Sequence, residues 1–313
     1  MKIVYFGTGE IGLPSLRWLL EAPEVAVAGV VTQPDRAAGR GLRVAFSPVK
    51  QLALDRGVPV LQPARLRDPA ALEEIVALGA ELFVVMAYGQ IFPRTLLDVP
   101  PLGAVNLHAS LLPRHRGAAP VQAALLAGDA RSGVTAMWMD AGLDTGDMLL
   151  QRGFDLGADE TAGSLHDRLA ALAPEVLAEA VGLIREGRAP RVPQDPALAT
   201  YAPKLERGSG KVDWAGSAAE IARRVRAFHP WPGSTADFEL AGGRTLEGKL
   251  HRVAAEEGNA PAGAVLEGFR VGCGGGGLLR VLEIQAAGGR KLDAADFLRG
   301  HPVVRAAAGP AIP

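Results

Sequence analysis

Three polar side chains in this 313-residue chain stand where chemistry can be done. The run GAVNLH (103–108) reads as a buried strand ending in Asn106-Leu107-His108. Residues two apart on a strand share a face, so Asn106 and His108 present an amide and an imidazole side by side. A second strand-like run, GVTAMWMD (133–140), leads into DAGLDTGDM, which places Asp144 in a glycine-flanked loop. An amide donates to a carbonyl oxygen, and more strongly as that oxygen becomes an oxyanion. An imidazole exchanges a proton near neutral pH or, once protonated, stabilises the same charge. A carboxylate can orient the imidazole and support its cationic form. This is acyl-transfer equipment without a nucleophile: no G-x-S-x-G occurs, and the single cysteine, Cys273, is remote in sequence. Such a trio would serve direct attack of an amine on an activated acyl group. The competing reading is a set of strand-end residues that are merely structural.

The elements that must position the trio alternate. Strand-like runs at 2–7, 25–32, 58–62, 81–89, 103–108, 133–140 and 147–156 are separated by helical patterns at 13–22, 47–57, 68–79 and 118–129. Ser47-Pro48 and Asp68-Pro69 read as N-cap and first helical residue, with Gly57 and Gly79 as stops. This alternation predicts a Rossmann-like α/β fold, a mostly parallel sheet with helices on both faces, whose ligands gather beyond the carboxyl ends of the strands. A long helix is expected over 164–187, started by Ser164 with Asp167, and Pro174 would kink or split it. A proline-rich stretch follows. Beyond an amphipathic helix at 217–229, short alternating runs with glycine turns, GCGGGG (272–277) among them, predict a smaller antiparallel β-barrel. The divisions expected are 1–187, a linker at 188–208, and 209–313.

The first strand runs into GTGEIG (7–12), a literal G-x-G-x-x-G, and Asp35 follows near the end of the second. That spacing is close to a dinucleotide-binding fingerprint. Composition points elsewhere only weakly. Hydrophobic residues make up 48% and charged residues 21%, with a formal net charge of -1. Residues 33–50 carry Arg36, Arg40, Arg43 and Lys50 against Asp35 alone, and residues 201–313 are net +3 on an otherwise acidic background. Two mildly basic zones can steer a polyanion, or be ordinary solvated surface. One cysteine excludes an intramolecular disulfide and a cysteine-cluster metal site. No signal peptide or membrane-length apolar run is present, so a cytoplasmic location is expected.

NLHASLLPRHRGAAPVQAALLAGD (106–129) with MDAGLDTGDML (139–149) resembles the folate-dependent formyltransferases. VVTQPDRAAGRG and SPVK within 30–50, YAPKL (201–205), VDWAGSAAEI (212–221) and RVRAFHPWPGS (224–234) resemble the branch of that family acting on methionyl-tRNA. The likeness runs over nearly the whole chain. It implies that Asn106, His108 and Asp144 are catalytic and that the formyl donor is 10-formyltetrahydrofolate. The acceptor it implies is the α-amino group of methionine on initiator tRNA, without metal or NAD. It also implies folate contacts from Ser110, Leu111, Leu112 and Pro113, with Met86, Tyr88, Gln90 and Ile91 as a wall for the pterin. The basic 33–50 loop becomes a tRNA-contacting insertion bearing Arg36, Arg40, Arg43 and Lys50, joined by Lys204 of the linker. The barrel becomes an OB-like tRNA-binding domain, and a monomer is expected. Trp214, Phe228 and Trp231 read as packing between helix and barrel.

Three rivals stay open at this level: a nicotinamide enzyme built on GTGEIG, a formyltransferase acting on a UDP-amino sugar or another small amine, and a non-catalytic tRNA-binding protein. On the resemblance, GTGEIG is a fold element.

Overall fold

Seven strands form one sheet, buried at its centre and partly exposed at its edges. They are β1 (Lys2–Gly7), β2 (Ala26–Val31), β3 (Val60–Leu61), β4 (Leu82–Met86), β5 (Ala104–His108), β6 (Arg131–Trp138) and β7 (Met148–Asp155). The structure, a computed structural model, describes residues 1–38, 43–307 and 309, with the backbone alone at 36–38 and 43–45. The strand order is β7-β6-β5-β4-β1-β2-β3. Neighbours are parallel from β5 through β3, whereas β6 is antiparallel to β5 and β7 to β6. The expected mostly parallel α/β sheet is therefore present, with a mixed edge.

The chain divides into two compact units, one of residues 1–120, 131–155 and 166–203, the other of 121–130, 156–165 and 204–313. In the first, Phe6, Phe83, Tyr88 and Phe92 form an edge-to-face cluster with Phe6 centroid distances of 4.9–5.6 Å. Each such pair adds about 0.5–1.5 kcal/mol beyond its area burial.

Helix boundaries follow local chemistry. Ser47 caps Pro48–Asp55 by accepting from the Lys50 N–H at 3.1 Å. Asp68 precedes Pro69–Ala77 without making the expected side-chain cap bond. The long helix is Ala162–Arg185, starting ahead of Ser164. The reason is a cap one turn earlier: Ser164 N–H donates to Thr161 Oγ1 at 3.1 Å, and Thr161 N–H to Ser164 Oγ at 3.0 Å. Pro174 sits inside this helix without ending it.

In the second unit, strands Ser234–Leu240, Thr245–Glu256 and Leu278–Ala286 form the middle of an antiparallel sheet. An antiparallel bridge between Ala264 and Arg305 nearly closes it into a barrel. Its core holds Phe238, Phe269, Phe297 and Trp214, with Ile221 and Val225 from the helix Ala218–Ala227. Ser217 and Glu220 make a reciprocal capping box at that helix start. Trp214 and Phe228 are buried as expected, but Trp231 is 52% exposed and is not a packing residue. Among the described residues no helix is long and apolar enough to cross a membrane, and no cluster could hold a metal ion.

Strand order reverses between β1 and β4, where open α/β sheets form their ligand crevice. Here the loops after those strands are tied together. The N–H groups of Thr8 and Gly9 donate to the Ala87 carbonyl at 3.2 and 3.3 Å, and Gly12 N–H to Gly9 O at 3.1 Å. A phosphate-binding loop would keep such donors for its ligand. The glycines instead serve packing. A Cβ on Gly12 would lie 2.2 Å from the hydroxyl of buried Tyr5, which bonds the Gly12 carbonyl at 2.9 Å. Gly9 has an ordinary φ of -72°, and the nearest atom to its Cβ would be the Ala87 methyl at 3.3 Å, with the Ala87 carbonyl and Ile11 at 3.9 Å. Urea denaturation should therefore show Gly12→Ala destabilised by about 1–3 kcal/mol through overpacking. Gly9→Ala should stay within about 0.5 kcal/mol of wild type; equal losses would refute this division of labour.

Candidate functional site

β5 lies between β4 and β6, with Asn106 opposite Met137 and His108 opposite Thr135. Its carboxyl end adjoins the switch point. The loop after β6 brings Asp144 to the same place, with Asp144 in the left-handed region at φ 53°. Its carboxylate collects three groups. Gly117 N–H donates to Oδ2 at 2.8 Å, Asn106 Nδ2 to Oδ1 at 3.4 Å, and His108 Nδ1 lies 3.6 Å from Oδ2. The side chains of His108 and Asp144 are 6% and 14% exposed, so this charge is largely shielded from water. His108 Nε2 is 2.8 Å from the His115 carbonyl. A carbonyl only accepts, so Nε2 carries a proton. A proton on Nδ1 as well would make the ring a cation facing Asp144.

Gly117 has φ 116°, and a Cβ there would stand 2.6 Å from the Ala202 carbonyl. Only glycine brings this N–H to Asp144 while the chain at 201–202 runs beside it. That neighbour belongs to the stretch expected as a linker, and this part of it is docked: Tyr201–Ala202 pairs in parallel with Arg116–Gly117, and Val192 bridges Met148. Trp138 Nε1 donates to the Pro190 carbonyl at 2.9 Å. Gln194 Nε2 donates to the carbonyls of Asp144 and Gly146 at 2.9 and 2.8 Å, while its Oε1 accepts from Arg116 Nε and Nη2 at 3.0 and 2.8 Å. Thr200 Oγ1 accepts from His115 N–H at 2.8 Å.

The SLLP segment is pinned by Thr135, whose hydroxyl donates to Ser110 O at 2.7 Å and accepts from Leu112 N–H at 3.1 Å. Gln151 Nε2 donates to Leu112 O and Thr135 Oγ1, both at 2.8 Å. Ser110 Oγ donates to Arg114 O at 2.6 Å, Leu112 is buried, the Leu112–Pro113 bond is cis, and Leu111 lies against Gly133 and Gly153. Within 86–91 the residues separate. Met86 and Tyr88 are buried in the core, and Tyr88 Oη has no hydrogen-bond partner among the described residues. Burial pushes the Tyr88 phenol above its ordinary pKa. Gln90 accepts from Leu66 N–H at 3.0 Å, and Ile91 is 82% exposed.

Of the basic residues, Arg40 lies outside the described residues. Arg36 and Arg43 lie in the antiparallel strands Arg36–Ala38 and Arg43–Ala45. Lys50 Nζ is held by Asp35 and, at 2.7 Å, by Gln62 Oε1; Lys204 is exposed. Asp35, which stood at the ribose-binding position, is thus taken up by Lys50 and Gln62, whose hydrogen bonds hold its carboxyl below the usual range. Sequence reasoning brought together Asn106, His108 and Asp144 and missed Thr135, Gln151, Gln194 and Thr200. Thr135 had a signal, being on the strand next to β5. Gln194 and Thr200 had none, since their partners stand 48–85 residues away.

A family model described as formyl transferase matches residues 1–181, and one described as formyl transferase, C-terminal domain, matches 204–302. The methionyl-tRNA formyltransferase of Geobacter sulfurreducens is 46% identical over 96% of this chain and 94% of that protein. The Pseudomonas paraeruginosa protein of the same name is 48% identical over 95% of each. Among solved structures, WlaRD, a sugar 3N-formyl transferase crystallised with dTDP and 5-N-formyl-THF, aligns at a TM-score of 0.65 with 17% identity, covering 90% of this chain and 97% of that one. HypX from Aquifex aeolicus in complex with tetrahydrofolic acid aligns at 0.60 with 18% identity, over 95% of this chain and 47% of its own. These distant structures share the fold, whereas identity of this order along the full length places the chain in the methionyl-tRNA formyltransferase family.

Proposed function

We propose that this protein transfers the formyl group of 10-formyltetrahydrofolate to the α-amino group of methionine on initiator methionyl-tRNA. The observation that carries the reading is the meeting of Asn106 and His108 on one carboxylate, Asp144, in a site that supplies polarisation and proton handling but no nucleophile. The acceptor amine then attacks the formyl carbon directly, and the carbonyl π pair moves onto oxygen. Asn106 keeps a second amide N–H for that oxygen. His108 offers Nε2–H, which rests on the neutral His115 carbonyl. A charged oxygen outcompetes a neutral one for such a donor, charge-assisted hydrogen bonds being about twice as strong. Asp144 steadies the ring from Nδ1 and would balance a positive charge there. As the carbonyl re-forms, the donor's C–N bond breaks, and the proton given up by the amine goes to the departing nitrogen. The backbone of 110–113, held by Thr135 and Gln151, and the exposed Ile91 offer the polar edge and apolar surface that a fused ring requires. On this reading 1–187 is the catalytic domain, 188–208 the linker and 209–313 the tRNA-binding domain of a cytoplasmic monomer.

Incubation with 10-formyltetrahydrofolate and methionylated initiator tRNA should yield formyl-methionine, with no product from a UDP-amino sugar. Absence of transfer to the tRNA would overturn the proposal. His108→Ala should lower turnover about 10²–10³-fold, the cost of losing one oxyanion donor. Wild-type turnover in that variant would remove His108 from the mechanism.

The basic residues should divide as well. Each lost phosphate contact flattens the plot of log K against log salt by about one unit of slope or slightly less. Arg40→Ala and Lys204→Ala should each show that change in tRNA binding. Lys50→Ala should show much less, because Asp35 and Gln62 already hold its ammonium. A Lys50 effect as large as that of Arg40 would contradict this assignment.

A further inference from the structure

Besides the backbone pairing at 201–202, the stretch 188–203 meets the candidate site through two side chains, and both act on groups that must be well aimed. Gln194 closes the Asp144 loop by donating to two of its carbonyls, those of Asp144 and Gly146. The same side chain is fixed from behind by two guanidinium nitrogens of Arg116, a residue only 5% exposed. Thr200 fixes the opposite wall. Its hydroxyl accepts from His115 N–H at 2.8 Å and lies 3.3 Å from His115 Nδ1, and its carbonyl accepts from Arg116 N–H at 2.8 Å. His115 is itself in the left-handed region at φ 60°, and its carbonyl is what holds His108 Nε2. One strap therefore sets both ends of the imidazole, Asp144 at Nδ1 through Gln194 and His115 O at Nε2 through Thr200. We propose that Gln194 and Thr200 are positioning residues for formyl transfer that act only through Asp144 and His108. This rests on the reading of His108 and Asp144 given above.

Conservative substitutions separate aim from general support. Gln194→Glu keeps an acceptor for Arg116 but loses the amide that donates to the Asp144 loop. Thr200→Ser keeps the hydroxyl oxygen, whereas Thr200→Val keeps the shape and loses it. Misplacement of about 1 Å can cost about 10²-fold in rate. Accordingly Gln194→Ala, Gln194→Glu and Thr200→Val should lower kcat about 10- to 100-fold, with KM for donor and tRNA within about twofold of wild type, and Thr200→Ser should restore kcat. Added to His108→Ala in single-turnover assays, Gln194→Ala should cost nothing more, since residues acting as one unit are not additive. Wild-type kcat in Gln194→Ala, a Thr200→Ser as impaired as Thr200→Val, or an undiminished further loss on the His108→Ala background would each overturn the proposal. If the wild-type chain transfers no formyl group, the functional reading fails and the strap is judged on the His108 ring alone. Its ¹⁵N resonances should then move in Gln194→Ala and Thr200→Val but not in Thr200→Ser, and unmoved resonances in the first two would overturn the proposal.

Discussion

The site depends on the Asp144 carboxylate. A charge largely removed from water is tolerated only where hydrogen bonds and opposite polarity replace its solvation. Asp144 finds its shortest contact in a backbone group, the Gly117 N–H at 2.8 Å, while Asn106 and His108 stand off at 3.4 and 3.6 Å. The carboxylate is thus anchored firmly to the scaffold and loosely to the groups that would react. Such spacing suits a site that tightens when substrate arrives, because hydrogen bonds of this kind are often long before the reacting complex forms. On the proposed reaction no nucleophile is needed, since the attack is made by the substrate's own amine.

Holding that carboxylate requires three separate stretches of the chain. β5 supplies Asn106 and His108, the loop after β6 supplies Asp144, and the 116–117 segment supplies the N–H. Only β5 belongs to the main sheet; the 116–117 segment is a two-residue strand paired with 201–202, and the Asp144 loop is irregular backbone, with Asp144 and His115 both in the left-handed region. Such conformations persist only when their surroundings over-determine them. Gln194, Thr200 and the pairing of 201–202 with 116–117 do this here. The strap combines a short helical turn at Pro196–Leu198 with the Tyr201–Ala202 strand.

These facts account for what could be read from sequence. The sheet and most helices were legible because period and caps are local: GAVNLH, VPVLQ and the Ser47-Pro48 start reappear within a residue or two of their expected ends. The trio was legible because two members share one strand and the third closes the next strand's end. The docking of 188–203 was not, since it consists of backbone, amide and hydroxyl bonds to partners dozens of residues away. Met86 and Tyr88 show a different limit. A strand end and the turn after it look alike in composition, and only burial shows that both side chains belong to the core rather than to a surface.

The opening glycines show how one pattern serves different ends. G-x-G-x-x-G after a first strand encodes a tight turn and close approach of helix to sheet, and both are present here. What makes such a turn a phosphate site is a set of N–H groups left without internal partners. In this chain the Ala87 carbonyl, lifted into the crevice by a φ of 50°, takes up Thr8 and Gly9 N–H. The crevice between β1 and β4 is thereby closed at the point where a pyrophosphate would enter, and polar side chains able to do chemistry stand instead one strand over, at the end of β5. The same Ala87 turn sends Met86 and Tyr88 inward and leaves Ala87, Gly89 and Ile91 exposed, so that closing the nucleotide crevice and presenting an exposed segment beside β5 are consequences of one backbone conformation.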